Sequence, residues 1–313
     1  MNYIFKKDDI TRIRDRFGEK FYNDISESID AFIVKWRIDA LELVESFSAN
    51  LVFKGFSKNY GPIVMKFAPN LDEFTSEVNA LRYFKGSRMC KLIDIDRDNR
   101  VLLEENILPG TELIKEKKIE HRLDVFCDLY NQLHYEKDTD NCQCDEVDHK
   151  LFKSYKDWIY RITDYISQEE NWHEVAFHMK RAKELYKILS HKYSNQRLLH
   201  GDFHYYNILK SENSYKVIDP KGVIGHPIFD IPRYMLNEFW DEENKLKIDE
   251  TMAVVFDIFS QKLNISRKVL SELLYIEGTM AICWCVESGA DIVEKVKYLD
   301  ILDKLQAYMC QYR

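Results

Sequence analysis

The densest group of reactive side chains lies between residues 198 and 222. It reads Leu198-Leu199-His200-Gly201-Asp202-Phe203-His204-Tyr205-Tyr206-Asn207-Ile208-Leu209, then a Ser211-Glu212-Asn213-Ser214 turn, then Tyr215-Lys216-Val217-Ile218-Asp219-Pro220-Lys221-Gly222. This is the pattern of a tight loop feeding a hairpin. Asp202, at the start of the loop, is placed to orient a hydroxyl nucleophile and accept its proton. Asn207 and Asp219 flank the two hairpin strands, so their oxygens are expected to lie close together. Hard oxygen ligands of that kind suit Mg²⁺ bridging nucleotide phosphates. A polar surface turn beside an ordinary hairpin has a similar composition. The His-x-Asp-x-x-x-x-Asn spacing followed by an apolar strand ending in Asp, however, matches a phosphoryl-transfer site at every member.

A second group is Ile63-Val64-Met65-Lys66-Phe67, a β-prone run carrying one lysine, with Glu77 on the helix that follows. A lone strand lysine usually points at solvent. In company with the first group, Lys66 is expected to contact the α/β-phosphates and to be held by an ion pair with Glu77 or with its rival Glu73, one turn earlier. No Gly-x-Gly-x-x-Gly stands upstream; its place is taken by Ser46-Phe47-Ser48-Ala49-Asn50-Leu51-Val52, a small polar turn between two strands. His200 fits a structural group packed within its loop better than a titrating one, and His204 is a candidate for facing the substrate. Lys221 has two equal readings: stabilising charge on the transferring phosphoryl group, or pairing with Asp202 or Asp219.

These side chains need a scaffold, and the chain changes texture near Pro109-Gly110. Before it, strand signals dominate, at 41–46, 50–56, 63–67, 91–95 and 100–104, with a helix over 72–84. After it the pattern is helical: Leu123, Phe126, Tyr130 and Leu133 recur at helical spacing, as do Ala182, Leu185, Tyr186 and Leu189. The expected fold is α+β, with an amino-terminal antiparallel sheet plus one helix (1–108), a linker near 104–110, and a helical carboxy-terminal lobe (109–313). A ligand cleft is expected between the lobes.

Composition narrows the class. The 313 residues carry 45 Lys+Arg against 53 Asp+Glu, a formal charge of -8. Residues 1–108 hold 17 basic and 18 acidic side chains, which leaves 28 and 35 for the rest, so the helical part carries the negative field. Net acidity argues against a nucleic-acid partner and favours a cationic one. No uncharged apolar stretch approaches the ~20 residues of a membrane span, and residues 1–17 are of mixed charge, so a cytoplasmic protein with neither leader nor membrane partner is expected. The seven cysteines are odd in number and include no Cys-x-x-Cys pair, which points to reduced thiols. Cys142, Cys144 and His149, within an acidic stretch, have the look of a solvated loop and lack the spacing of a zinc site.

The 198–222 segment resembles the catalytic and metal-binding loops of the protein-kinase-like superfamily, specifically the aminoglycoside phosphotransferases. Val101-Leu102-Leu103-Glu104-Glu105-Asn106-Ile107-Leu108-Pro109-Gly110-Thr111 and Ile218-Asp219-Pro220-Lys221-Gly222-Val223-Ile224-Gly225 resemble the streptomycin and hydroxyurea kinase branch, and matches in blocks extend from about residue 40 to 290. The resemblance implies a bilobal kinase-like fold and transfer of the γ-phosphoryl group of ATP, with GTP left open as donor, to a small-molecule hydroxyl with Mg²⁺ as cofactor. It implies Asp202 as base, Asn207 and Asp219 as metal ligands, and Lys66, Glu104 and Asn106 at the nucleotide. It favours Glu77 over Glu73, since Glu77-Val78-Asn79-Ala80-Leu81-Arg82 is similar to the family's Glu-x-x-Ala-Leu-Arg helix. It also implies that Ser48 and Asn50 belong to a turn donating to phosphate oxygens. Gly225-His226-Pro227-Ile228-Phe229-Asp230 resembles a Gly-x-Pro-x-x-Asp segment whose aspartate braces the catalytic loop. Met280-Ala281-Ile282-Cys283-Trp284-Cys285-Val286-Glu287 resembles a helix lining the acceptor pocket, where Glu287 would pair with a cationic substrate or stand as an ordinary exposed carboxylate. The expected acceptor is an aminoglycoside of the streptomycin type; the alternatives are a metabolic kinase of the choline, homoserine or methylthioribose kind and a nucleotide-binding pseudokinase. Monomer and homodimer both stand.

Overall fold

A computed structural model describes residues 3–45, 47, 49–85, 88–135, 149–240 and 247–312. Ser48 and the Cys142-Cys144 segment therefore lie outside the described residues. The chain divides into two compact units, Met1–Thr111 with Leu209–Ile218, and Glu112–Ile208 with Asp219–Arg313.

The first unit opens with two helices, α1 (Lys7–Phe17) and α2 (Glu19–Lys35), that a strand-dominated reading of residues 1–108 omits. In α2 the buried residues Ile25, Ile29, Phe32 and Ile33 fall on one helical stripe, which is the signal that reveals it. A five-stranded antiparallel sheet follows, built from β1 (Ile38–Leu43), β2 (Leu51–Ser57), β3 (Gly61–Phe67), β4 (Leu92–Asp96) and β5 (Val101–Glu105) in the order β1-β2-β3-β5-β4. Ile13, Ile29, Phe32, Trp36, Phe53 and Phe67 bury together in one core, so the added helices cover apolar sheet surface. Gly55 is required where β2 crosses β1, because a Cβ there would stand 2.4 Å from the Ala40 carbonyl oxygen. Helix α3 (Leu71–Phe84) begins where the Asn70 side chain accepts from the backbone N–H groups of Asp72 and Glu73.

A small sheet joins β6 (Pro109–Glu112) to the hairpin strands β9 (Ile208–Ser211) and β10 (Tyr215–Val217), in the order β10-β9-β6. The second unit contains α4 (Ile119–His134), β7 (Lys153–Ser154), α5 (Tyr155–Ile166), α6 (His173–Lys192) and β8 (Arg197–Leu199). The hairpin β9 (Ile208–Ser211) and β10 (Tyr215–Val217) then joins the first unit, where Cys90 N–H donates to the Val217 carbonyl and Val217 N–H to that of Arg88. The chain continues in the second unit with β11 (Val223–Gly225), α7 (Ile231–Trp240), α8 (Ile248–Leu263), α9 (Arg267–Glu287) and α10 (Lys295–Gln311), and β11 pairs with both β7 and β8. By length and apolarity alone α9 could cross a membrane, but 83% of its most apolar window is buried, with α5, α6, α7, α8 and α10 packed on it. It is the core helix of this unit.

Helices α4 and α7 are tied by a buried bidentate ion pair, Arg122 Nε and Nη2 to Glu238 Oε1 and Oε2 at 3.0 and 2.6 Å. Removing one partner of such a pair strands the other's charge away from water. Arg122→Met is expected to lower unfolding free energy by about 3–5 kcal/mol in a denaturant titration, and Arg122→Met/Glu238→Leu to recover most of that loss. A single variant as stable as the wild type would show that the pair carries no stability.

Candidate active site

In the first unit, β3 delivers Lys66 and α3 delivers Glu77. The lysine Nζ lies 2.8 Å from Glu77 Oε1 and 2.9 Å from Glu104 Oε2, all three side chains being buried. Glu73 is exposed in the first turn of α3, while Glu77, one turn on, faces inward. Asn50 Nδ2 donates to the second oxygen of Glu77 at 3.2 Å, so the residue just before β2 is fastened to the same carboxylate. Asn106 donates its backbone N–H to the Pro62 carbonyl.

In the second unit the loop after β8 is held from beneath by Asp230. Its two carboxylate oxygens each accept a backbone N–H, from His200 and from Gly201, both at 2.7 Å, and Oδ2 also lies 3.0 Å from His134 Nε2. His200 is fully buried; its Nδ1 accepts the Asp202 backbone N–H and its carbonyl accepts from Lys221 and Gly222. The segment carrying Asp219 is thereby stitched to the segment carrying Asp202. Gly201 has φ of +82°, and a Cβ there would press on Val223, Lys221 and Trp158 at 3.1–3.2 Å, so only glycine fits between loop and neighbours. Asp219 also takes a left-handed backbone, with φ of 58°.

Asp202 sits among cations. His204 Nε2 and Arg233 Nε each lie 3.4 Å from its Oδ1. His204 Nδ1 accepts the Tyr206 backbone N–H, so in the neutral ring the proton is on Nε2 and faces the carboxylate. Burial by itself raises the Asp202 carboxyl; the hydrogen bond and charge of His204, then Arg233 and Lys221, outweigh it and hold the group well below the usual carboxylate range. Asn207 Nδ2 donates to the Asp202 carbonyl at 2.9 Å, which orients the amide and leaves Oδ1 as the atom that could meet a metal. A carboxamide oxygen and a carboxylate on adjoining segments are the hard donor set that suits Mg²⁺.

Glu287, near the end of α9, is engaged by both guanidinium nitrogens of Arg161, Nη2 at 3.0 Å. Three residues of this region carry no motif: Arg233 on α7, Glu277 on α9 and Tyr155 on α5. Glu277 Oε1 lies 3.0 Å from Arg233 Nη2, and its Oε2 accepts from the Tyr155 hydroxyl at 2.8 Å. Burial and Glu277 push the Tyr155 phenol up, so it remains a donor. The signal that marks them is Glu277 itself, the one charged residue in the otherwise uncharged stretch 273–286 of α9, which is stable there only with buried partners.

The fold and this loop define the class: a bilobal, protein-kinase-like phosphotransferase. A choline kinase from Streptococcus pneumoniae superposes with a TM-score of 0.65, 14% identical, covering 92% of this chain and 99% of that one. The aminoglycoside phosphotransferase APH(4)-Ia, solved as a ternary complex with ADP and hygromycin B, gives 0.64, also 14% identical, covering 91% and 97%. The pattern of the aminoglycoside/hydroxyurea antibiotic resistance kinases matches residues 35–289, and the chain belongs to that family. Streptomycin 6-kinase of Streptomyces griseus is 23% identical over 259 residues, covering 82% of this chain and 81% of the relative. The protein is an ATP-dependent phosphotransferase acting on hydroxyl groups of an aminoglycoside or related small molecule.

The unfolded Asp carboxyl titrates near 3.9, above the folded value, so the ionised form stabilises the fold above that pH and the contribution disappears as pH falls through the folded value. Asp202→Asn is expected to melt below the wild type near neutrality, with the gap closing as pH drops below about 4. A gap that stays constant or widens in acid would show that burial outweighs the cations at Asp202.

Proposed function

We propose that the protein transfers the γ-phosphoryl group of ATP to a hydroxyl of an aminoglycoside of the streptomycin type and so confers resistance. The observation that carries the acceptor is the similarity to streptomycin 6-kinase along four fifths of both chains. The acidity of the chain, -8 overall, supports a cationic acceptor. A second reading, a metabolic kinase of the choline type, is supported by the likeness of fold to choline kinases.

In the proposed mechanism Asp202 orients the acceptor hydroxyl and takes its proton. Its titration, held below the usual carboxylate range, keeps it ionised at neutral pH. Lys66, gripped by Glu77 and Glu104, contacts the nucleotide phosphates as a fixed cation, with Asn50 and Asn106 on the same unit. Asn207 and Asp219 would hold Mg²⁺, which when bound supplies charge neutralisation on the phosphates. Asp230 and His200 keep the loop backbone in place. Lys221, just after Asp219, remains a candidate for charge stabilisation, His204 for orienting Asp202 towards the acceptor. Glu287 would have to exchange Arg161 for a cationic group on the acceptor. Catalysis of this kind rests on alignment and electrostatics and needs no covalent enzyme intermediate.

Incubation of streptomycin with the purified protein and Mg-ATP is expected to give a monophosphorylated product by mass spectrometry. Asp202→Ala should abolish it while nucleotide binding persists, and Asp219→Ala should weaken Mg-nucleotide binding itself. Phosphorylation of choline in place of streptomycin would move the protein to the metabolic reading, and full activity in Asp202→Ala would remove the base assignment.

A further inference from the structure

Arg233 is fastened at three points within the second unit. Its Nη2 is held by Glu277, a buried carboxylate whose other oxygen is taken by the Tyr155 hydroxyl. Its guanidinium lies over the Trp284 ring at 5.3 Å, and Trp284 packs edge-on against Trp158, the residue that closes on Gly201. Its Nε makes no hydrogen bond among the described residues and approaches Asp202 Oδ1 at 3.4 Å as an ion pair, an oxygen that His204 Nε2 also reaches at 3.4 Å. An arginine tethered only by Asp202 would follow that carboxylate. One anchored independently by Glu277 and Trp284 acts as a template for it instead.

We propose that Arg233 is a positioning residue of the phosphoryl transfer: fixed by Glu277 and Trp284, it occupies Asp202 Oδ1 and turns Oδ2 towards the acceptor. The inference rests on the assignment of Asp202 as base. In the step, the acceptor oxygen bonds to the γ-phosphorus as the bond from that phosphorus to the β,γ-bridging oxygen breaks. ADP leaves with that electron pair, and the hydroxyl proton passes to Asp202 Oδ2. Arg233 touches no reacting atom. A lysine at this position keeps the charge but lacks the fork needed to reach Glu277 and Asp202 together.

The test is steady-state kinetics of the wild type, Arg233→Met, Arg233→Lys, Glu277→Gln and Arg233→Met/Glu277→Gln with Mg-ATP and streptomycin. Phosphate release to water without any acceptor is followed in parallel. If the wild type leaves streptomycin unmodified, the acceptor assignment fails, and the ranking of variants is read from the water reaction alone. Rates are normalised to nucleotide-binding sites, so a misfolded fraction does not count. Arg233→Met is expected to lower kcat about 10²-fold with KM for ATP unchanged. Arg233→Lys should recover part of that loss, Glu277→Gln should lower kcat in the same direction, and the double variant should be no worse than Arg233→Met. Should Arg233→Met fail to fold, a kcat for Arg233→Lys equal to the wild type overturns the proposal. So does a wild-type kcat in Arg233→Met, a loss confined to KM for ATP, or multiplication of the two single effects in the double variant.

Discussion

The geometry of the catalytic segment depends on one buried carboxylate. Asp230 is 1% exposed, and a charge that far from water persists only if its oxygens are satisfied. It is satisfied by two backbone N–H groups of the loop itself, those of His200 and Gly201, and by His134. The same bonds that satisfy the Asp230 oxygens therefore fix the peptide planes on either side of Gly201, and with them the direction in which Asp202 leaves the backbone. From His200 the constraint passes on, since its carbonyl takes the N–H groups of Lys221 and Gly222 and so binds the segment of Asp219 to the loop of Asp202. Loss of the carboxylate would release both functional segments together.

Each unit then repeats one electrostatic device, a cation held between two carboxylates. In the first unit Lys66 lies between Glu77 and Glu104; in the second Arg233 lies between Asp202 and Glu277. A long cationic side chain loses up to about 2 kcal/mol of rotamer freedom when fixed, and a second charged partner offsets this while removing the swing that one partner leaves. The result is a positive charge whose location is set before any ligand arrives. Phosphoryl transfer asks the protein chiefly for charge in fixed places. Buried pairs of this kind contribute little net stability, so their role lies in placement.

The parts legible in sequence are those whose information is local. The loop from His200 to Asn207, the segment after Asp219, and the strand of Lys66 each carry their family motif within a dozen residues, and alternation or helical spacing gave the sheet and α3 to within a few residues. Helices α1 and α2 were less visible. In α1 the charges of Lys7-Asp8-Asp9 and Arg14-Asp15-Arg16 surround a narrow apolar stripe, of which only Ile13 is fully buried. The chain of Tyr155, Glu277 and Arg233 was invisible for a different reason. Its members come from three helices up to 122 residues apart, and no spacing rule connects them. Only the oddity of a glutamate inside α9 pointed there.

That division bears on what decides the acceptor. A choline kinase and an aminoglycoside phosphotransferase superpose on this chain almost equally well, each at 14% identity, so the fold by itself does not choose between acceptors. Acceptor choice must then lie with side chains outside the motifs, brought together by helix packing. In the second unit Arg233 lies beside Asp202 and over the ring of Trp284, which packs on Trp158, while Glu287 is matched by Arg161. Asp202, Glu277 and Glu287 each face an arginine of the chain itself. A cationic acceptor therefore has to displace an internal cation to gain a carboxylate, and the binding energy of its charge is reduced by the pair it breaks. For the proposed cationic acceptor, the net acidity of the chain is therefore weaker support at these three carboxylates than the charge count alone suggests.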